Sequence, residues 1–260
     1  MNEQDENRNQ ETRKTNMLKI EPHDKIALVR MTNGVTNPIS PEMLECLEQT
    51  IEDVRANYRG MVLAGGSKFF SIGLDLPRLL EFDRASMTGF WTRFEEFALA
   101  LCSIPVPTAA AINGHATGGG MILSLGCDYR LVSPGRKFLG LNEVKIGLGV
   151  PFSAHLMLEQ VTGALKARDM ELEGNFHSPE SALEVNLVDG IEEDVEKAAL
   201  EKIAQLAELP PAGFIYTKEN RTKPLVHRFQ QHRETRLKEI IETWFEPSVQ
   251  KILSEAAKKF

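Results

Sequence analysis

The stretch INGHATGGG, residues 112–120, joins an apolar segment that starts at Pro107 to a helix-like segment that starts at Met121. Glycine has no side chain, so three glycines at the start of a helix leave backbone N–H groups unobstructed and aligned with the positive end of the helix dipole. This arrangement suits an anionic oxygen. Glycines at strand–helix junctions usually serve turns and packing, so this stretch alone does not define a binding site.

A second glycine-bearing turn, FSIGLD at residues 70–75, lies upstream of the first. It follows the apolar segment GMVLAGG, which starts at Gly60, so it also lies at the end of a predicted strand. Two such turns are a more specific signal than one.

Short apolar runs alternate with helical patterns over the first half of the chain. Ser40 is placed to cap a helix that has Pro41 at its first position. From Phe152 onward the periodicity is helical, with a break at Pro247. The pattern predicts an α/β fold. Strand candidates start at Lys25 (KIALVRM), Gly60 (GMVLAGG), Pro107 (PTAAAING) and Tyr129 (YRLVS).

Composition excludes several classes of protein. With 260 residues, 42% of them hydrophobic, the chain is long enough for one large domain with a sizeable core. Its formal net charge of −7 disfavours a dedicated nucleic-acid binder, because phosphate backbones repel a negative surface. No apolar run of about 18 residues occurs, so no membrane span is expected. Residues 1–16 are almost entirely polar, which predicts a disordered tail and no secretory signal.

Common catalytic and metal-binding patterns are missing from the sequence. GGSK at residues 65–68 lacks the spacing of a phosphate-binding loop, and no G-x-S-x-G motif occurs. His227 and His232 are not spaced to share one helical face, so we expect no metal site. The cysteines are odd in number and far apart, which predicts a reduced, cytoplasmic protein without a disulfide framework: Cys46, Cys102 and Cys127.

Motifs in a fixed order carry a family resemblance. Four stretches together resemble the signatures of the crotonase (enoyl-CoA hydratase/isomerase) superfamily. They are FSIGLDL (70–76), AAINGHATGGG (110–120), CDYRLVS (127–133) and FLGLNEVKIGLGVPF (138–152). The resemblance runs from about Lys25 to the C-terminus. It implies a crotonase-like α/β fold, with a β-β-α spiral core that we place at residues 17–200 and a C-terminal helical region at 201–260.

The resemblance also implies a substrate and an assembly. The C-terminal helices are used for trimerisation in this superfamily, which implies a homotrimer or a dimer of trimers. The implied substrate is an acyl-CoA, with no cofactor beyond the coenzyme A of the substrate itself. No nucleic-acid or membrane partner is implied.

Two backbone N–H groups hold the thioester oxygen in this superfamily. By position in the motifs these belong to Ile72 and Gly119, and such a donor is worth about 10² to 10³ in rate. Residues around the first turn complete the implied substrate-binding set: Ser71, Ile72, Gly73, Leu74 and Asp75.

Hydratases of the superfamily carry two glutamates that position and activate water. The first of these positions, two residues after Gly120, is Ile122 here, whereas the second is retained as Glu143. One carboxylate can carry a proton from C2 to C4 of a 3-enoyl thioester without any cofactor. The GLNE run resembles the Δ3,Δ2-enoyl-CoA isomerase branch in particular, which implies a role in unsaturated fatty acid breakdown with Glu143, Ile72 and Gly119 as the catalytic groups.

Other functions stay open at this point. The protein could be an enoyl-CoA hydratase or another crotonase-type enzyme, such as a thioester hydrolase, or a catalytically silent acyl-CoA-binding protein. Acyl-chain length depends on how Ile72, Leu74 and residues 76–91 pack. A basic stretch either meets the phosphates of coenzyme A or, more commonly for such helices, forms a solvated face: Lys218, Arg221, Lys223, Arg228, Arg233, Arg236 and Lys238.

Overall fold

The structure, a computed structural model, describes residues 17–258, so the predicted disordered tail at residues 1–16 lies outside the described residues. Its strands are β1 (Leu18–His23), β2 (Ile26–Met31), β3 (Pro38–Ile39), β4 (Gly60–Ala64), β5 (Phe69–Ser71), β6 (Gly73–Leu74), β7 (Thr108–Ile112), β8 (His115–Thr117), β9 (Tyr129–Val132), β10 (Leu139–Gly140) and β11 (Gly190–Ile191).

Helices cover much of the remaining chain. They are α1 (Pro41–Asn57), α2 (Leu76–Leu79), α3 (Arg84–Ser103), α4 (Gly119–Leu125), α5 (Phe152–Thr162), α6 (Ala164–Glu173), α7 (Pro179–Glu184), α8 (Val195–Ala207), α9 (Pro211–Trp244) and α10 (Pro247–Ala257). A short 3-10 helix covers Glu143–Ile146. None of the helices within residues 17–258 combines the length and apolar character that crossing a membrane requires.

The strands form one large sheet and two small ones. The large sheet has the order β1-β2-β4-β7-β9-β11 and is parallel except for the antiparallel β1–β2 pair. The small sheets, β10-β8-β5 and β3-β6, are parallel. Along the chain, each large-sheet strand from β2 to β9 is followed by one or two small-sheet strands and then by a helix. This repeat forms the predicted β-β-α spiral of an α/β fold.

The elements that set up this core lie where the sequence patterns place them. The predicted strands correspond to β2, β4, β7 and β9. Ser40 caps α1, because its hydroxyl accepts a hydrogen bond from Met43 N–H at 3.2 Å and Pro41 occupies the first helical turn. Pro247 begins α10 after the break that follows Trp244.

Helix α3 is an element that our reading of the sequence does not predict. It begins after Asp83, whose carboxylate accepts a hydrogen bond from Ser86 N–H at 2.7 Å. Thr88 and Gly89 weaken the helical pattern near its start. Its buried apolar side chains nevertheless recur at helical spacing: Met87, Phe90, Trp91, Phe94, Phe97 and Leu101.

The two faces of the large sheet pack against different helices. In β4, Met61 and Leu63 face the larger core, whereas Val62 and Ala64 pack against α8. The domain boundary that we predict between residues 200 and 201 therefore falls inside a helix that covers the sheet. The chain beyond α8 consists of α9 and α10.

The basic stretch on α9 finds most of its partners within the protein. Lys218 is buried, and its Nζ donates hydrogen bonds to the Asp128 carboxylate at 2.7 Å and to the Val106 carbonyl at 2.9 Å. Asp128 also accepts from Thr108 N–H at 2.9 Å, which links α9 to the large sheet. Further cations of the stretch form ion pairs with glutamates: Lys223, Arg228, Arg233, Arg236 and Lys238. These pairs favour a structural and solvated role over contact with coenzyme A phosphates.

We expect Lys218→Met to lower the free energy of unfolding by about 3–5 kcal/mol, because it leaves the Asp128 carboxylate in the interior without its cation. The matched control is Lys223→Met on the same helix, which removes an exposed cation paired with Glu219. For that variant we expect a change below about 1 kcal/mol. Urea unfolding followed by circular dichroism measures both, and equal losses would contradict the structural role of Lys218.

Candidate active site

The two glycine-bearing turns meet at the ends of neighbouring strands. Thr117 donates a hydrogen bond from its hydroxyl to the Ile72 carbonyl at 2.9 Å. Gly120 packs so closely on Ser71 that a Cβ atom there would collide with the Ser71 carbonyl. The backbones of the two turns are therefore in direct contact.

Gly73 stands at the centre of this contact. Its φ is +103°, a conformation that residues with a side chain rarely adopt. A Cβ atom at this position would lie 2.9 Å from both Gly119 N and Thr117 O. Position 73 therefore requires glycine for its dihedral angle and for the close approach of the second turn.

The structure corrects the predicted oxyanion donor in the first turn. Ile72 N–H donates a hydrogen bond to the Thr36 carbonyl at 2.9 Å, so it is already engaged within the protein. Its side chain, in contrast, lines the cavity described below. Ile72 thus contributes shape to the site but no donor.

Leu74 N–H is the group in this turn that faces the site. Strand β6 pairs in parallel with β3, and Asp75 N–H donates to the Ile39 carbonyl at 3.1 Å. Successive N–H groups of an extended strand point to opposite sides, so Leu74 N–H points away from β3. Gly119 is the first residue of α4, so its N–H has no acceptor within the helix. Leu74 and Gly119 line the same cavity.

Other predicted substrate-binding residues hold the first turn together. The Ser71 hydroxyl donates to the Asn37 carbonyl at 2.7 Å and accepts from Gly73 N–H at 3.1 Å. The Asp75 carboxylate accepts from Arg78 N–H at 3.2 Å and caps α2. Both side chains therefore act on the backbone of the turn rather than on the cavity.

The cavity beside the turns has a volume of about 400 Å³. Its walls are mostly apolar, with Trp91 and Phe94 of α3 at one end and Phe138 and Phe176 at the other. Glu143 is the only titratable side chain among the described residues that line it. Such a cavity suits an apolar group with one ionisable partner.

Glu143 is held in place by the 3-10 helix that it begins. Gly147 ends that helix in the left-handed conformation, with φ of +80°. Leu148 N–H donates to the Glu143 carbonyl at 3.0 Å. A Cβ atom on Gly118 would lie 3.6 Å from Glu143 Oε1, which places the carboxyl group next to the second glycine turn.

Burial shifts the proton affinity of this carboxyl group. Glu143 is 7% exposed, and its Oε2 is buried without a hydrogen-bond partner among residues 17–258. Burial raises the pKa of Glu143 from 4.5 to about 7, and the negative charge of Glu171 contributes in the same direction. The side chain is thus suited to accept and release protons near neutral pH.

Ile122 occupies the wall of the cavity, as its place in the second motif predicts. Its side chain is buried and contributes no polar group. Within residues 17–258, no group of three or more His, Cys, Asp or Glu side chains is arranged to hold a metal ion. The cavity therefore combines one buried carboxyl group with two backbone donors.

Residues 21–258 match the family model described as enoyl-CoA hydratase/isomerase. The chain belongs to this family. Membership confirms the crotonase-superfamily resemblance and makes the protein an acyl-CoA enzyme of the hydratase/isomerase family.

Individual relatives in the family include both isomerases and hydratases. Human mitochondrial enoyl-CoA delta isomerase 1 is 30% identical over 234 residues, which cover 88% of this chain and 78% of the relative. The probable enoyl-CoA hydratase echA17 of Mycobacterium avium is 32% identical over 167 residues, which cover 63% of this chain and 64% of the relative. The crystal structure of human mitochondrial Δ3-Δ2-enoyl-CoA isomerase superposes with a TM-score of 0.89 at 29% identity, covering 94% of this chain and 97% of that chain. These matches confirm the predicted crotonase-like fold.

Sequence reasoning places Glu143, Gly119 and Ile122 in the site but misses other parts of it. The Leu74 donor follows from the pairing of β6 with β3, which the sequence alone does not show. Trp91 and Phe94 could have been inferred from the helical spacing that follows Asp83. Phe176 carries no signal in the sequence that would assign it to this cavity.

We expect Glu143→Gln to stabilise the protein at neutral and alkaline pH. The pKa of about 7 in the folded protein lies above the ordinary value of 4.5, so the folded state holds this proton more tightly than the unfolded chain. The stability that the neutral carboxyl group contributes is complete below about pH 4.5 and is lost as the pH rises through 7. Each unit of pKa difference corresponds to about 1.4 kcal/mol. The free energy of unfolding of the variant, relative to wild type, should therefore rise by about 3 kcal/mol between pH 4 and pH 8.

Urea unfolding of both proteins across this pH range measures the difference. Groups other than Glu143 titrate equally in the two proteins, so their effects cancel. A difference that stays constant with pH would contradict the raised pKa of Glu143.

Proposed function

We propose that the protein is a Δ3,Δ2-enoyl-CoA isomerase that moves a double bond from the 3 to the 2 position of an acyl-CoA. The observation that carries this proposal is the lone buried carboxyl group of Glu143 beside two backbone donors in an apolar cavity. The human isomerase named above, similar in fold at 29% identity, supports it. The role would lie in unsaturated fatty acid breakdown.

The thioester oxygen of the substrate would accept hydrogen bonds from Leu74 N–H and Gly119 N–H. Both groups belong to the backbone of turns fixed by close packing, so they need little reorganisation during the reaction. Donors of this kind stabilise the negative charge that develops on the oxygen.

Glu143 then acts as the base and the acid in turn. Its carboxylate takes a proton from C2 of the 3-enoyl thioester, and the electron pair of that C–H bond shifts toward the thioester oxygen to give a dienolate. The electrons return to form the C2–C3 double bond, and C4 takes the proton back from Glu143. One proton moves and no electrons are gained or lost, so the reaction requires no cofactor.

Water addition by the two-glutamate route needs a second carboxyl group, which the described lining of the cavity does not contain. A hydratase must hold a water molecule and deprotonate it while the α-carbon is protonated. Ile122 has no polar atom in its side chain, and Glu143 is the only titratable group among the described lining residues. Because some relatives are named as hydratases, hydration is the second outcome that the assay below tests.

The remaining functional expectations stay predictions. The acyl-CoA is the proposed partner, with coenzyme A as part of the substrate. Assembly as a homotrimer or a dimer of trimers and a cytoplasmic location are predictions from the sequence, and sedimentation analysis tests the first of them.

We expect Glu143→Gln to abolish the formation of conjugated 2-enoyl-CoA from a 3-enoyl-CoA, because an amide cannot take the C2 proton. In the wild type, kcat/KM should fall about tenfold per pH unit below pH 7, since only the carboxylate is active and burial raises its pKa to about 7. Absorbance of the conjugated thioester measures both. The control is Glu173→Gln, which changes an exposed glutamate on α6 and should retain activity.

Substrate choice in the same assay separates the alternatives. Conversion of a supplied 2-enoyl-CoA to a 3-hydroxyacyl-CoA would show hydration and contradict the isomerase proposal. Tight acyl-CoA binding without turnover of either substrate would show a silent binding protein.

We expect Gly73→Ala to lower kcat by about 10² to 10³, because the added Cβ displaces the turn that carries the Leu74 donor. The control is Gly89→Ala on α3, where a Cβ atom meets no heavy atom within 4 Å. That variant should keep wild-type kcat and be slightly more stable, since alanine favours a helix. Unchanged kcat in a folded Gly73→Ala variant would argue against the Leu74 donor.

A further inference from the structure

A second cavity lies directly behind the first. Its volume is about 480 Å³, and it shares three wall residues with the first cavity: Trp91, Leu148 and Pro151. The two spaces are therefore neighbours separated by a thin wall rather than unrelated surface features.

Trp91 forms the largest part of this wall. Its side chain is 1% exposed and contacts the Trp244 ring edge-on, with ring centres 6.2 Å apart. On the same helix, Phe94 lines only the first cavity and Glu95 only the second. Helix α3 thus runs along the boundary, with the Trp91 indole between the two spaces.

The first cavity has two chemically different ends. At one end Phe138 and Phe176 are about 40% exposed. Two cations lie near this end. Lys68 Nζ is 5.9 Å from the Phe69 ring centre, and the Arg136 guanidinium is 5.6 Å from the Phe138 ring centre. At the other end Trp91, Phe94, Leu148 and Pro151 form an apolar wall. The open, cationic end suits the phosphates of coenzyme A, so the acyl tail points toward Trp91.

We propose that Trp91 is the residue that limits acyl-chain length, and that the acyl group of the natural substrate ends at this wall. The inference rests on the proposed acyl-CoA site and names the class of substrate that fits it. A longer acyl chain that continued past this wall would enter the second cavity, and the Trp91 indole blocks that path. Without the indole, the two cavities join.

Apolar side chains in the second cavity make it able to receive an extended chain. Val150, Phe152, Leu172 and Ile240 line it together with charged groups such as Arg236. The Arg236 guanidinium is already occupied, since it pairs with Glu239 at 2.9 Å and lies over the Phe152 ring. The space is thus partly apolar, and its Arg236 cation is already paired within the protein.

Binding of saturated acyl-CoAs of increasing length to the full-length protein tests the proposal without any need for turnover. We expect wild-type affinity to rise roughly fourfold with each buried methylene and then to level off when the chain reaches the wall. In Trp91→Ala the rise should continue to longer chains. Leu148→Ala thins the same wall from the other side and should also extend the limit, so the test survives if Trp91→Ala fails to fold.

Phe94→Ala is the matched control, because it removes an aromatic ring from the same helix but enlarges only the first cavity. In Phe94→Ala, affinity should stop rising at a chain length closer to the wild-type value than the length at which it stops rising in Trp91→Ala. A wild-type affinity that rises evenly across all lengths, or an equal extension in Phe94→Ala and Trp91→Ala, would overturn the proposal. Failure of every acyl-CoA to bind would instead overturn the proposed function as well.

Discussion

Direct backbone contact between the two glycine-bearing turns is the constraint on which the site depends. Gly73 has a positive φ and leaves no room for a Cβ atom beside Gly119 N, and Gly120 leaves none beside the Ser71 carbonyl. A side chain at either position would move the first turn away from α4. The N–H groups of Leu74 and Gly119 would then no longer face one point in the cavity. Preorganised donors are what oxyanion stabilisation requires, and here the missing Cβ atoms provide the preorganisation.

The same close packing creates the environment of Glu143. Because the cavity walls are apolar, the carboxyl group is removed from water, and burial raises its pKa to about 7. An unpaired buried carboxylate lowers stability, so a purely structural role would favour a neutral side chain at this position. The fold keeps an ionisable group where it costs free energy, which is a common property of functional sites.

Sequence patterns predict the parts of this protein that depend on local rules. The four predicted strands, the Ser40 cap and the place of Glu143 follow from periodicity, capping chemistry and motif order. The choice between Ile72 and Leu74 as the donor depends instead on the pairing of β6 with β3, which only the register reveals. Lys218 looks like any other cation of a basic helix, and its burial against Asp128 becomes visible only when α9 is packed on the sheet. Long-range packing decides both cases.

Ile122 links the apolar character of the cavity to the direction of the chemistry. In the proposed reaction a single carboxyl group must reach both C2 and C4 of the substrate, and water must stay away from the dienolate between the two transfers. An isoleucine on the wall serves the second need, since it offers no polar group to hold water and helps to keep the Glu143 carboxyl group dehydrated. A carboxylate in its place would add a like charge inside the cavity and would give water a site beside the α-carbon. The apolar side chain of Ile122 therefore favours proton shuttling by Glu143 over hydration, because the two-glutamate route of hydration needs a carboxylate at that position.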